Sequence, residues 1–282
     1  MTSPIGPPAP ADDDRWTDAF FDRQYVDLLS EQMGPVPTAR QVRFLRAVLE
    51  LPRGARVLDV GCGFGRHAGA LARAGYEVVG MDSSRAMISE ARLRWRGVSR
   101  VRFLRARMQS LSFRSEFDAA ICMFTSFGYL SPKENRRTLA AIVRAVKPGG
   151  RIVVDTRDLD EVKRTLARSQ WWTFGRSFRV HENATLDPST GVLRNRWWIV
   201  NRKTGKRSRR VMRVQFSTRA KWKTMLRVSG ARLRAFYSDF TPASRNRRNG
   251  PRLLVVAESL SKPAKASPSV RPAAPRRAER RT

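Results

Sequence analysis

Cysteine is scarce in this chain: Cys62 and Cys122 are its only two among 282 residues, and no C-x-x-C pair occurs. That leaves no disulfide framework and no zinc-type ligand set. Both cysteines read as small buried hydrophobes of a reducing compartment, so a cytoplasmic location and no metal are expected. No apolar run approaches the roughly 18 residues a membrane helix needs, and no membrane partner is expected. The first fifteen residues, MTSPIGPPAPADDDR, have no apolar stretch and carry acids. They read as a disordered Pro-rich lead and not as a signal peptide. G-x-x-x-x-G-K-[ST] is absent, which excludes a P-loop. Acids are few: 24 against 56 basic residues, of which only nine are lysine, for a net charge of +32. Such an excess attracts polyanions. It is also what Arg-heavy, Lys-poor coding from a GC-rich genome gives, and much of it is scattered along helix faces.

What is present is organised around residues 55–83, ARVLDVGCGFGRHAGALARAGYEVVGMDS. Arg56 to Val60 is a short Val/Leu-rich run that stops at a glycine, as a strand buried on both faces does. Gly61, Gly63 and Gly65 alternate, so the backbone can turn sharply and a ligand can approach closely. Ala68, Leu71 and Ala72 have helical spacing, and Gly75 sits where a helix ends. A second strand runs from Glu77 to Met81 and ends at Asp82. Strand, glycine turn, helix, strand and terminal acid form one βαβ unit for a nucleoside-bearing ligand, the acid placed to accept ribose hydroxyls. The dinucleotide fingerprint needs a small sixth residue, and Arg66 stands there. Asp59, just before the first glycine, suits a cationic amino group better than a pyrophosphate.

Two N-terminal helices are expected over 16–51, broken at Gly34-Pro35 and ended by Pro52. Over 52–170 strands and helices alternate. A helix follows Asp82 with Met87, Ile88, Ala91 and Trp95 on one face, and strands follow at Val101–Ala106 and Glu116–Phe124. A helix at Lys133–Val146 and a strand at Arg151–Asp155 complete the pattern. Five such strands predict a doubly wound parallel α/β sheet. Over 171–216 the period changes to alternation with two hairpin turns, Asp187–Gly191 and Arg202–Lys206, predicting an inserted antiparallel sheet of three or four strands. A short helix, Lys221–Val228, and two strands, Ala231–Asp239 and Arg252–Glu258, complete the core over 217–260. Residues 261–282 are basic, Pro/Ala-rich and without period, and read as disordered.

The glycine motif, with FTSFGYL, LAAIVRAVKPGGRIVVD, HENATLDPSTGVLRNRWW and YSDF, resembles the small-molecule branch of the class I S-adenosylmethionine (SAM) methyltransferases carrying CGxGRHA and an inserted sheet. The likeness covers roughly Trp16 to Ser259. It implies a seven-stranded Rossmann-like methyltransferase sheet in the order 3-2-1-4-5-7-6 with the seventh strand antiparallel, and SAM as cofactor. It implies that Asp59 holds the methionyl amino group, directly or through water, and that Gly61, Cys62, Gly63 and Gly65 contact the methionyl part. Asp82, with Ser83 beside it, would bind the ribose diol. Met108 would pack on adenine, and the Met123 backbone would face the amino group and sulfonium. Arg107 departs from the pattern: the family has an acid there that accepts from the adenine amino group, and arginine has donors only. Gln109 or Ser110 would have to supply that acceptor.

No residue stands out as the catalyst. Candidates for a base are His67 and Tyr129, then Tyr25 and Asp239. Phe124, Phe127 and Tyr129 are candidates to offer ring faces to the sulfonium. Trp171, Trp172, Trp197 and Trp198 belong to the roof over the acceptor and are expected to fill its core, with stacking on a planar acceptor as the alternative. The expected partner is a small-molecule acceptor methylated on O or N. Two alternatives stay open. One is RNA or another polyanion reached by Arg207, Arg209 and Arg210 at a hairpin tip and by the tail, which is not favoured. The other is a non-catalytic SAM-fold binding protein.

Overall fold

The structure is a computed structural model and describes residues 16–33 and 35–260. The lead at 1–15, the break at Gly34 and the tail at 261–282 lie outside the described residues. The N-terminal stretch forms three helices, not two: α1 (Trp16–Phe20), α2 (Arg23–Gln32) and α3 (Pro35–Leu49). The extra break falls at Asp22, whose extended backbone and carboxylate, accepting from the Tyr25 N–H at 3.1 Å, cap α2.

The central unit is β1 (Arg56–Val60), α4 (Arg66–Arg73), β2 (Glu77–Asp82), α5 (Arg85–Arg94) and β3 (Val101–Arg105). It continues through β4 (Phe117–Cys122), α6 (Pro132–Ala145), β5 (Val146–Thr156) and α7 (Leu159–Thr165). Val57, Leu58 and Val60 are wholly buried because β1 lies between β2 and β4, parallel to both. β5 starts five residues earlier than expected, since Val146 pairs with Phe117 before the register shifts across Pro148-Gly149-Gly150. The seven residues of α7, capped by Asp158, give too short a periodic signal to be expected from sequence.

Four long antiparallel strands follow: β6 (Ser169–Phe174), β7 (Phe178–Asp187), β8 (Val192–Asn201) and β9 (Arg207–Gln215). Then α8 (Arg219–Val228) leads to β10 (Ala231–Tyr237) and β11 (Leu253–Ser259). The seven-stranded sheet has the order β3-β2-β1-β4-β5-β11-β10, with β11 antiparallel to both neighbours. This is the expected doubly wound order. One face buries Leu139, Ile142 and Trp222, the other Leu45, Leu71 and Ile88.

The four-stranded sheet packs its inner face on α1 and α2 through Phe20, Tyr25, Phe174, Val180, Trp197 and Ile199. Arg210 on β9 secures this seam. It is 8% exposed and donates to the carbonyls of Ala19 and Phe20, both at 2.7 Å, and to Asp22 and Gln24. Two expectations are corrected here. Arg207, Arg209 and Arg210 lie along β9 and not at a hairpin tip, and Arg210 points inward, because strand alternation sets its direction. Of the four tryptophans only Trp197 is core; Trp171, Trp172 and Trp198 are exposed.

Candidate active site

The glycine turn is held from below. The N–H groups of Gly61 and Cys62 both donate to the Met81 carbonyl, at 2.8 and 3.0 Å. Gly65 caps α4 at φ +76°, and a Cβ there would lie 2.6 Å from Phe103, so no other residue fits. The turn thus sets β1, β2 and α4 at one rim of a cavity of about 970 Å³, its open mouth included. Gly61, Cys62, Gly63, Asp82, Ser83, Arg107, Met108 and Met123 all line it. Asp59 and Gly65 are not in the lining; they stand behind the turn.

Asp82 ends β2 with both carboxylate oxygens oriented. Oδ2 accepts from the Gly63 N–H and Oδ1 from the Ser84 N–H, each at 2.9 Å. Burial raises its pKa, against the pull of those N–H groups. Asp59 is 1% exposed, and neither of its oxygens has a hydrogen-bond partner among the described residues. Burial lifts its carboxyl to about 7, with Arg66 opposing, Asp82 adding to the rise and the Ala68 N–H, too poorly placed for a full hydrogen bond, pulling weakly against it.

Arg66 is the site residue that sequence reasoning passed over; its signal was its place directly after the third glycine, opening a helix. Its guanidinium is buried in the cavity wall, and burial lowers its pKa to about 10. Nη1 donates to Thr38 at 3.3 Å and to Gln41, while Nη2 has no partner. His67, next in the chain, has Nε2 at 2.8 Å from Gln41 Oε1. Oε1 only accepts, so Nε2 carries the proton and Nδ1 is left as an acceptor. Burial, then Arg66, holds the His67 pKa well below its ordinary value, and the ring is neutral.

Over the cavity stand Phe21, Tyr25, Phe124 and Tyr129. Tyr129 meets the rings of Trp16 and Phe21 at 5.3 and 5.5 Å, and burial keeps its phenol protonated. The loop after β4 is strained, with Phe124 and Thr125 at φ +57° and +61°. Asp155, at the end of β5, holds it: its carboxylate accepts from the Phe124 N–H at 2.8 Å and from Arg252 at 2.7 Å, and its carbonyl from the Thr125 N–H. Phe127 is not at the site; it is core against Trp222. Asp239 lies outside the lining and accepts from Thr241. Arg107 pairs with Asp18 of α1 at 3.1 Å, so a helix brings an acid to the rim that β3 lacks. Of its neighbours, Gln109 lines the cavity and Ser110 does not.

Residues 57–150 match the family described as a methyltransferase domain. The CcbJ methyltransferase from Streptomyces caelestis superposes with a TM-score of 0.69 at 20% identity, over 82% of this chain and 92% of that one. This is a methyltransferase fold. SAM-bound CalS10, an amino pentose methyltransferase from Micromonospora echinaspora, shares it at a TM-score of 0.61 and 23% identity, over 83% and 95% of the chains. Demethylmenaquinone methyltransferase from Clavibacter sepedonicus is 40% identical over 102 residues, 36% of this chain and 40% of that protein. The chain spans about half the length of the curated relatives it matches. In a methyltransferase fold of this order, the cavity lies where β1 and β4 part, at the carboxyl ends of the strands.

Proposed function

We propose that the protein is a class I SAM-dependent methyltransferase that transfers a methyl group to an O or N atom of a small molecule. One observation carries this reading: a half-buried carboxylate at the tip of β2, both oxygens aligned by backbone N–H groups, beside a glycine turn on the same cavity.

The unpartnered polar atoms fit the cofactor. Arg66 Nη2 and the two Asp59 oxygens are buried donors and acceptors without partners, opposite in charge, as a ligand with an amino group and a carboxylate requires. Arg66 takes the carboxylate, and Asp59, behind the turn, holds the amino group through a bridging water. Asp82 takes the ribose diol, Met108 packs on adenine, and Gln109 offers an amide oxygen to the adenine amine. The bound cofactor supplies a methyl group on a sulfonium with a good neutral leaving group. The chain's own part is alignment, which is worth about 7–11 kcal/mol for well-oriented reactants.

Neither His67, held neutral with a low pKa, nor Tyr129, held protonated, is a strong base. They orient the acceptor by hydrogen bonds, and an acceptor that brings its own lone pair suits such a site. Phe21, Tyr25 and Phe124 form an apolar, ring-lined wall that suits a compact acceptor. SAM carrying a labelled methyl group, incubated with the protein and a cell extract, tests the acceptor class. Label in the small-molecule fraction supports this reading; label confined to RNA or protein overturns it.

A further inference from the structure

The inserted sheet has a second face that turns away from the cavity. Alternation sends Trp197 and Arg210 inward and their neighbours Trp198 and Arg209 outward. The register sets Trp171, His181, Trp198 and Arg209 in one row across all four strands. Their rings run on from one another: His181 lies 4.7 Å from Trp171 and 5.4 Å from Trp198, at interplanar angles of 36° and 37°. Arg179 stands over Trp171 at 4.3 Å and Arg209 over Trp198 at 5.8 Å. Trp171 is still 55% exposed and Trp198 39%.

The rows on either side add Arg196 and Arg207, and the row beyond Arg196 adds Arg194. None of these three, nor Arg179 or Arg209, makes an ion pair among the described residues. From Arg179 to Thr185 on β7, and across to the paired positions of β6, β8 and β9, no outward position holds an acid. Water satisfies arginines but not tryptophan rings, so a band of exposed rings among unpaired cations points to a ligand with both flat faces and negative charge. A second copy of this face is a poor match, because a twofold contact would set arginines against arginines.

We propose that this outer face binds single-stranded nucleic acid, with bases stacked on Trp171 and Trp198 and phosphates on the flanking arginines. The surface is distinct from the methyl-transfer cavity, since the sheet's inner face and α1 and α2 lie between them.

The test uses the full chain and a fluorescent 15-mer of deoxythymidine, read by anisotropy across a salt series. Trp171→Ala with Trp198→Ala is expected to weaken binding about fivefold or more. Heparin, which has charge but no bases, should bind that variant as it binds the parent. Arg196→Gln with Arg209→Gln should make the log–log salt slope shallower by about 1.4, at roughly 0.7 per phosphate. Calorimetric SAM binding reports that the variants are folded. Ultraviolet cross-linking of the unmodified protein to the 15-mer, mapped by mass spectrometry, should place adducts on Trp171 or Trp198. The proposal is overturned by unchanged 15-mer affinity in the tryptophan variant, by adducts only elsewhere, or by a parent that binds anionic vesicles or a second copy while ignoring the 15-mer.

Discussion

Replacing Asp59 by asparagine tests whether this carboxyl is uncompensated in the folded chain. It is 1% exposed, its oxygens have no partner, and its pKa stands at about 7 against an ordinary 3.8. The folded state therefore holds the proton more tightly than the unfolded chain does. The stability this gives is complete below the unfolded value and is lost as pH rises through about 7. At about 1.36 kcal/mol per unit, full ionisation costs roughly 4 kcal/mol, of which roughly 3 kcal/mol accrues between pH 5 and pH 8. Asparagine keeps the shape and does not titrate. The unfolding free energy of Asp59→Asn minus that of the parent is expected to rise by roughly 3 kcal/mol over that interval, measured by urea denaturation at both pH values. A difference that does not change with pH refutes the reasoning, because the carboxyl would then be ionised and paired throughout. The same titration reaches binding. A cationic amino group needs the ionised carboxylate, so SAM affinity in the parent should fall as pH drops below 7, and in the variant it should not.

Three further changes probe other parts of the site. Arg66→Met should weaken SAM by about 1.5–3 kcal/mol and leave adenosine binding unchanged, by competition calorimetry, since only SAM brings a carboxylate to the guanidinium. Gly65→Ala forces a side chain onto φ +76° and to 2.6 Å from Phe103, and should cost about 1–3 kcal/mol in urea denaturation. Arg210→Met strands the Ala19 and Phe20 carbonyls, so hydrogen exchange should quicken over α1 and α2, with a global loss of about 2 kcal/mol.

The parallel half of the fold was legible because its signals are local. Val57 to Val60 followed by alternate glycines, and Glu77 to Asp82 after a helix-length gap, fix a βαβ unit with little choice. Asp82 could be placed because the strand ends where its acid stands. The rest depended on contacts distant in sequence. Arg66 joins the site through Thr38 and Gln41 of α3. Asp155 matters because Arg252, 97 residues later, binds it and the Phe124 backbone leans on it. Phe127 and Tyr129 are two residues apart in one loop, yet one is core and the other lines the cavity. The tryptophans went astray for a related reason: alternation separates Trp197 from Trp198, but composition alone does not say that the outer face is left uncovered.

The central claim is that Asp82 grips the sugar of a SAM-type nucleoside at the tip of β2. Titration calorimetry of the purified protein with SAM and with its demethylated product addresses it directly. The account predicts heat for both ligands, and a loss of at least ~1 kcal/mol in Asp82→Ala. No heat from either ligand, with NADH binding instead, would contradict it, as would an Asp82→Ala variant that binds SAM as tightly as the parent.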